Sequence, residues 1–537
     1  MPALRISLPL CLLAVLSGFA AAPPGTTPVS RTPLHARIDQ FFAAQPTFAR
    51  IPARQSSDAE FLRRIYLDLT GCIPPAGEAR RFLADPNPNK RVALIDQLLA
   101  SPEHARHLAT FLDITLMERR PEKGVPHAEW KEFLRQSVEA NLPWDALVRE
   151  ILSGDGSDPK KRHRIKFFLD RGGEINELTR DMSRLFLGTN LQCAQCHDHP
   201  RIEDYRQEDY YGLAAFLCRT TVVNNQLGEK ADGETSFQSV FDPKKTTRSS
   251  PPRVPGGKAI TDPPVEKSKA YKVPPKDGVV SVPTYSRKSQ LANALASPAN
   301  PAFRRNIANR LWALMMGKGL VDPLDMDHGA NPPSYPELLD LLAGDIAARR
   351  FDMRSFLREI ARSEVYQRSS ELPENVEARK LPVHAVAILK PLTPEQLAMS
   401  LMQATGFTDV HRQALGPKVT EASLHARLAG NIGPFIQSFG SNPGTAQSFE
   451  ARMDQALFLA NGSLIRSWLS PQPGNRIGRL QKLSGAAQVD ELFLGILTRL
   501  PDADERRDAL EFLSRHPASL PDLAWALLTS TEFRFNH

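Results

Sequence analysis

The sequence predicts a mainly α protein of two helical domains, joined by a proline-rich extended segment that carries short β strands. Three observations predict it. From Pro33 to about Thr221, apolar residues recur at three- and four-residue spacing with turn signals between them. The same texture resumes at Tyr285 and continues to position 537. Between them, positions 222–284 hold nine prolines and ten Lys or Arg against seven Asp or Glu, in phrases such as SSPPRVPGGK through which no helix can run. The expected units are a signal peptide at 1–22, an N-terminal helical domain at 33–221, a linker or small β insert at 222–284, and a C-terminal helical domain at 285–537.

At the N-terminus, one Arg precedes an apolar run from Ile6 to Leu16, and small residues follow at Ala20, Ala21 and Ala22. The run is too short to span a membrane and has the form of a secretory signal. Cys11 follows Leu10, where a lipoprotein signal needs a small residue, so no lipid anchor is expected. The mature chain is expected in the periplasm or outside the cell, with no membrane span.

In SSDAEFLRRIYLDLTGCIPP, Ser57 caps a helix whose apolar face is Phe61, Leu62, Ile65, Tyr66 and Leu69, and Gly71 with Pro74 and Pro75 ends it. Helices are also expected at 90–100, 101–117, 128–140, 144–153 and 174–188, with an amphipathic stretch from Asp209. Within the proline-rich segment, 235–241 reads as a short strand. After it, RKSQLANALAS and NPAFRRNIANRLWALMMG are helical, the second stopping at Gly317. Ser334 and Glu337 form a capping box with Pro336 in the first turn. Further helices are expected at 352–363, 393–405, 451–461, 488–497 and 520–529.

Composition narrows the function. The 537 residues are 41% hydrophobic and 24% charged, without long like-charge runs, so the chain folds rather than forming a charged tail. The formal charge of +7 falls by one when the signal leaves, and spread over so long a chain it predicts no nucleic-acid surface. Four cysteines remain, Cys72, Cys193, Cys196 and Cys218, too few for a disulfide framework.

Two of those cysteines lie in LQCAQCHDHP, where Cys193, Cys196, His197, Asp198 and His199 fall within seven residues. C-x-x-C-H is the attachment sequence of c-type haem. Two thiols at this spacing reach two vinyl groups of one porphyrin, and His197 then lies under the iron as the proximal ligand. Covalent haem belongs outside the cytoplasm, where the signal peptide sends the chain. Distal-ligand candidates are Met182, His163, His104 and His107 upstream and Met315, Met316 and His328 downstream, or the iron keeps an open position.

The alternative is a compact zinc or iron site on Cys193, Cys196, His197 and His199. Four ligands in seven residues are tight, so Cys218 or Asp198 would replace one. A Cys193–Cys196 disulfide, or free thiols, is the third reading. Glu103-His-Ala-Arg-His107 lacks the glutamate of H-E-x-x-H and reads as packed histidines. There is no G-x-S-x-G, no P-loop and no G-x-G-x-x-G followed by an acidic residue.

RRIYLDLTGCIPP, LFLGTNLQCAQCHDHP and DYYGLAAFL resemble the first of two domains of unknown function, 1549 and 1553, found in tandem in secreted planctomycete-type cytochrome c-like proteins. NPAFRRNIANRLWALMMGKGLVDPLDMDHGANPPSYPELLDLL, RMDQALFLANG and DLAWALLTSTEFRFNH resemble the second. The resemblance covers nearly the whole mature chain and implies a haem site at Cys193, Cys196 and His197, with a domain boundary inside the proline-rich segment. Many relatives carry an added c-haem or carbohydrate-binding domain, which implies a redox partner protein and a carbohydrate-related substrate. The expected function is therefore redox or electron transfer through one haem c, with a metal-stabilised structural or binding protein as the alternative.

Overall fold

The computed structural model describes residues 32–49, 54–372, 376–377, 380–442 and 451–537. The expected signal peptide at 1–22 lies outside the described residues. The chain is mainly α, 56% helical, with four two-stranded antiparallel sheets among the described residues. None of its helices is long and apolar enough to cross a membrane among those residues.

The helix Asp58–Thr70 is the spine of the molecule. Ser57 caps it by accepting the Glu60 N–H at 3.1 Å, and Gly71 ends it in the left-handed region at φ 71°. A Cβ at position 71 would also stand 2.4 Å from the His107 ring, so glycine is required there twice over. Every residue from Phe61 to Thr70 is buried. A helix buried on all sides must satisfy its charged groups internally. Arg63 donates to the carbonyls of Ile496 and Phe533, and Arg64 to those of Tyr366 and Arg368. Asp68 accepts from the Tyr366 hydroxyl at 2.9 Å, the Asn536 amide at 2.7 Å and the Lys390 ammonium.

Two apolar cores flank this helix. Phe61, Leu62, Ile65 and Leu69 join the larger, which runs from Leu34 to Ala385 and includes Leu494. Leu67 joins the smaller with Ile73 and residues from Leu392 to Phe533. The larger core draws on both sides of the proline-rich segment: the helices Arg287–Leu295 and Pro301–Met316 pack on Trp144–Leu152, Ile175–Leu187 and Gln207–Leu217. The apolar core thus divides after Ala385, away from 222–284.

The expected helices form as Lys90–Leu99, Pro102–Met117, His127–Glu139, Trp144–Leu152 and Ile175–Leu187, and, later, Met353–Arg362, Pro394–Thr405, Met453–Asn461, Gly485–Leu497 and Leu520–Thr529. The capping box at Ser334 does not form. Pro336 is the first helical residue, which makes Tyr335 the cap and leaves Ser334 one position too early; its N–H goes to the Leu320 carbonyl instead. The 235–241 strand shortens to Ser236–Phe237, paired with Arg248–Ser249.

Removing Lys390 strands the Asp68 carboxylate in a dry interior. Lys390→Ala is expected to cost about 3–5 kcal/mol in urea unfolding, and Asp68→Asn with Lys390→Met less than that. Equal losses would show that the two groups are not coupled.

Acid should also weaken the fold. His384 is 2% exposed, its Nε2 accepts from the Trp312 indole N–H at 3.1 Å, and burial pushes its imidazole from 6.5 down to about 3. The unfolded chain binds this proton below 6.5 and the folded one does not until about 3, so stability falls as pH drops through that window. His384→Gln should make stability less steep with pH there by up to about 1.4 kcal/mol per unit.

Candidate functional site

The motif sits on a single 3-10 turn, Leu191–Gln195, directly after the helix Ile175–Leu187. Three residues per turn put positions i and i+3 on one side. Leu191 and Ala194 point into the core, 1% and 0% exposed, and the out-of-phase pair Cys193 and Cys196 is exposed. Both are free thiols on one outward face, so no disulfide joins them.

The approach to this turn is fixed from both halves of the chain. Asp181 is fully buried among Arg120, Arg171, Arg180 and Arg184, whose charges hold its carboxyl well below the usual carboxylate range against the cost of burial. Asn306 and Arg310 donate to the last carbonyls of the helix, those of Leu185 and Arg184. Gly188 turns the chain at φ 70°, and its carbonyl accepts the Asp327 N–H at 2.9 Å.

Beyond the turn, the two histidines are held in opposite tautomers. His197 Nδ1 lies 2.7 Å from the Asp198 carbonyl, which can only accept, so Nδ1 carries the proton and Nε2 keeps its lone pair. His199 Nδ1 instead accepts the N–H groups of Arg201 and Ile202, at 3.2 and 3.0 Å, so the proton is on Nε2. His197 therefore presents an Nε2 lone pair, and His199 is a turn cap. Asp198 is likewise engaged, its Oδ1 accepting the Gln207 N–H at 2.7 Å at the start of the helix Gln207–Leu217.

That helix and an insert hairpin complete the site. Gln207 donates to the carbonyls of Gln195 and Gln238, and the Tyr211 hydroxyl to Gln195. Tyr211 stacks on Phe237 at 4.4 Å, which brings the hairpin of Ser236–Phe237 and Arg248–Ser249 onto the motif. The Val240 N–H reaches the Cys196 carbonyl at 3.0 Å, and the Phe241 ring lies 4.6 Å from His197. Val240 and Phe241 are 66% and 71% exposed, an apolar patch beside the two thiols. The proline-rich stretch gave no sign that it covers the motif; its only signal was this apolar pair in a polar run.

The other candidate ligands lie elsewhere. Cys218 follows the far end of the eleven-residue helix, about 16 Å from the end that meets the motif, and its thiol turns to the Ala215 and Gly233 carbonyls. His104 donates to the Leu69 carbonyl, His107 packs under Gly71, and His163 stacks on Phe133. Met182, Met315 and Met316 are core residues, so the apolar helix upstream of the motif is core as well. His328 comes nearest by contact. Its ring packs edge-on against Tyr205 at 5.2 Å, Tyr205 meets His199 at 5.9 Å, and both nitrogens of His328 are buried without a partner. Among the described residues, no group of three or more His, Cys, Asp or Glu could hold a metal ion.

Two family models match the chain, both described as proteins of unknown function: DUF1549 over residues 37–222 and DUF1553 over 287–513. They flank the proline-rich segment, whose hairpin nonetheless closes over the motif. No curated protein and no solved structure matches the chain. The chain therefore belongs to the family in which these two domains of unknown function stand in tandem, 1549 first and 1553 second.

Proposed function

We propose that the protein is an extracytoplasmic c-type cytochrome-like protein that carries one haem on Cys193, Cys196 and His197 and serves in electron transfer. The observation that carries this reading is the opposite tautomers of the two histidines, which leave one Nε2 lone pair next to two outward thiols. A tetrahedral zinc site would need His199, Asp198 or Cys218 to complete it, and His199 and Asp198 are engaged in the local turns while Cys218 lies at the far end of its helix. The exposed Val240 and Phe241 fit an apolar planar group better than a hydrated ion.

When bound, haem supplies a one-electron couple. The chain's own residues do the rest: the thiols attach through thioether bonds, His197 donates Nε2, and the Asp198 carbonyl fixes the ring and raises its basicity. Phe241 and Val240 limit water at that face. A redox partner protein and a carbohydrate-related substrate belong to the same proposal.

A pyridine haemochrome spectrum with intact mass, on protein secreted by a host with c-haem maturation, should give one covalent haem per chain. Cys193→Ala with Cys196→Ala should abolish it. Haem-free protein holding stoichiometric zinc would overturn the reading.

The two histidines should also separate. His197→Ala should change the iron's ligation while leaving the thioether-bound haem in place. His199→Ala should leave the visible spectrum unchanged and cost about 1–3 kcal/mol of stability, through two unpaired N–H groups. Equal loss of a bound metal in both variants would favour the compact metal site.

A further inference from the structure

A cleft lies where the two apolar cores meet, and none of the motif's residues lines it. It encloses about 500 Å³ between the spine and Pro102–Met117 on one side and Pro394–Thr405 with Glu421–Leu428 on the other. That volume suits a small organic ligand, and such ligands settle where packed units meet.

The lining states what it would accept. Its principal charges are already paired: Arg106 with Glu421 at 2.6 Å and Arg81 with Glu78 at 2.5 Å. Glu103 also borders the cleft and is in no ion pair among the described residues, and the cleft's other free hydrogen-bonding groups are neutral. The Tyr66 hydroxyl, the Gln403 amide and the His425 ring make no hydrogen bond to another described residue, and all three border the cleft. Burial keeps the phenol protonated and pushes His425 down to about 4, so neither carries charge near neutral pH. Cys72 also borders it, but burial raises its thiol to about 11, which removes it as a nucleophile. Ile73, Met399 and Leu428 supply an apolar wall.

We propose that this cleft binds a neutral small molecule that presents hydroxyl groups on one side and an apolar face on the other, held by Tyr66, Gln403 and His425. An anion finds no free cation in the cleft, where Arg81, Arg106 and Arg412 are paired and Glu103 would repel it, whereas a hydroxyl can both give to and accept from Tyr66, Gln403 and His425. The site uses none of Cys193, Cys196 or His197 and stands or falls apart from the haem reading.

The probe is trans-1,2-cyclohexanediol, followed by saturation-transfer NMR on the full mature chain, with cyclohexane-1,2-dicarboxylate as the charged counterpart. The diol's ring protons should receive magnetisation and the dicarboxylate's should not. Tyr66→Phe removes a hydroxyl that no other described residue uses, so the fold is retained and the diol should bind about fivefold more weakly. Leu424→Trp, filling the cleft, should abolish the signal. No transfer to the diol, an equal signal in both variants, or preference for the dicarboxylate would each overturn the proposal.

Discussion

The fold depends on keeping three ionisable side chains, Arg63, Arg64 and Asp68, inside a helix that is buried from Phe61 to Thr70. Each unpaired charge would cost several kcal/mol, so the helix is tenable only when the rest of the chain brings carbonyls, a hydroxyl, an amide and an ammonium to it. Those partners come from residues 366–368, 390, 496, 533 and 536. The two cores therefore share one polar axis instead of meeting at a simple apolar face.

The motif depends on the same long-range closure. Its thiols are local, but the turn that aims them is held by Asn306, Arg310 and Asp327 from the second half and by the insert hairpin from the middle. This explains how one small motif can belong to a chain of this length: the second family domain supports the platform on which the first presents its cysteines.

Much of this was legible in the sequence, and what was not has a physical reason. Ser57 caps where its side chain meets a free N–H of the first turn, which local spacing reveals. Ser334 has the same spacing to a glutamate, yet a proline beside it moved the helix start and removed its partner. The motif's cysteines were plain, but the roles of His197 and His199 were not, because they turn on which ring nitrogen meets a carbonyl and which meets an N–H. The hairpin over the motif rests on contacts tens of positions apart and the division of the core after Ala385 on contacts hundreds apart, which no periodicity records.

The bond from Asn536 to Asp68 spans 468 positions. A chain is synthesised from its N-terminus onward, so the spine helix emerges long before the residues that neutralise it. Until they arrive, its buried charges must stay hydrated, and the helix cannot close into its final environment. The exposed thiols of the motif need no buried partner, although the turn that aims them waits for Asn306, Arg310 and Asp327. The turn and the spine are thus completed in succession, the turn once Asp327 is available and the spine only with Asn536.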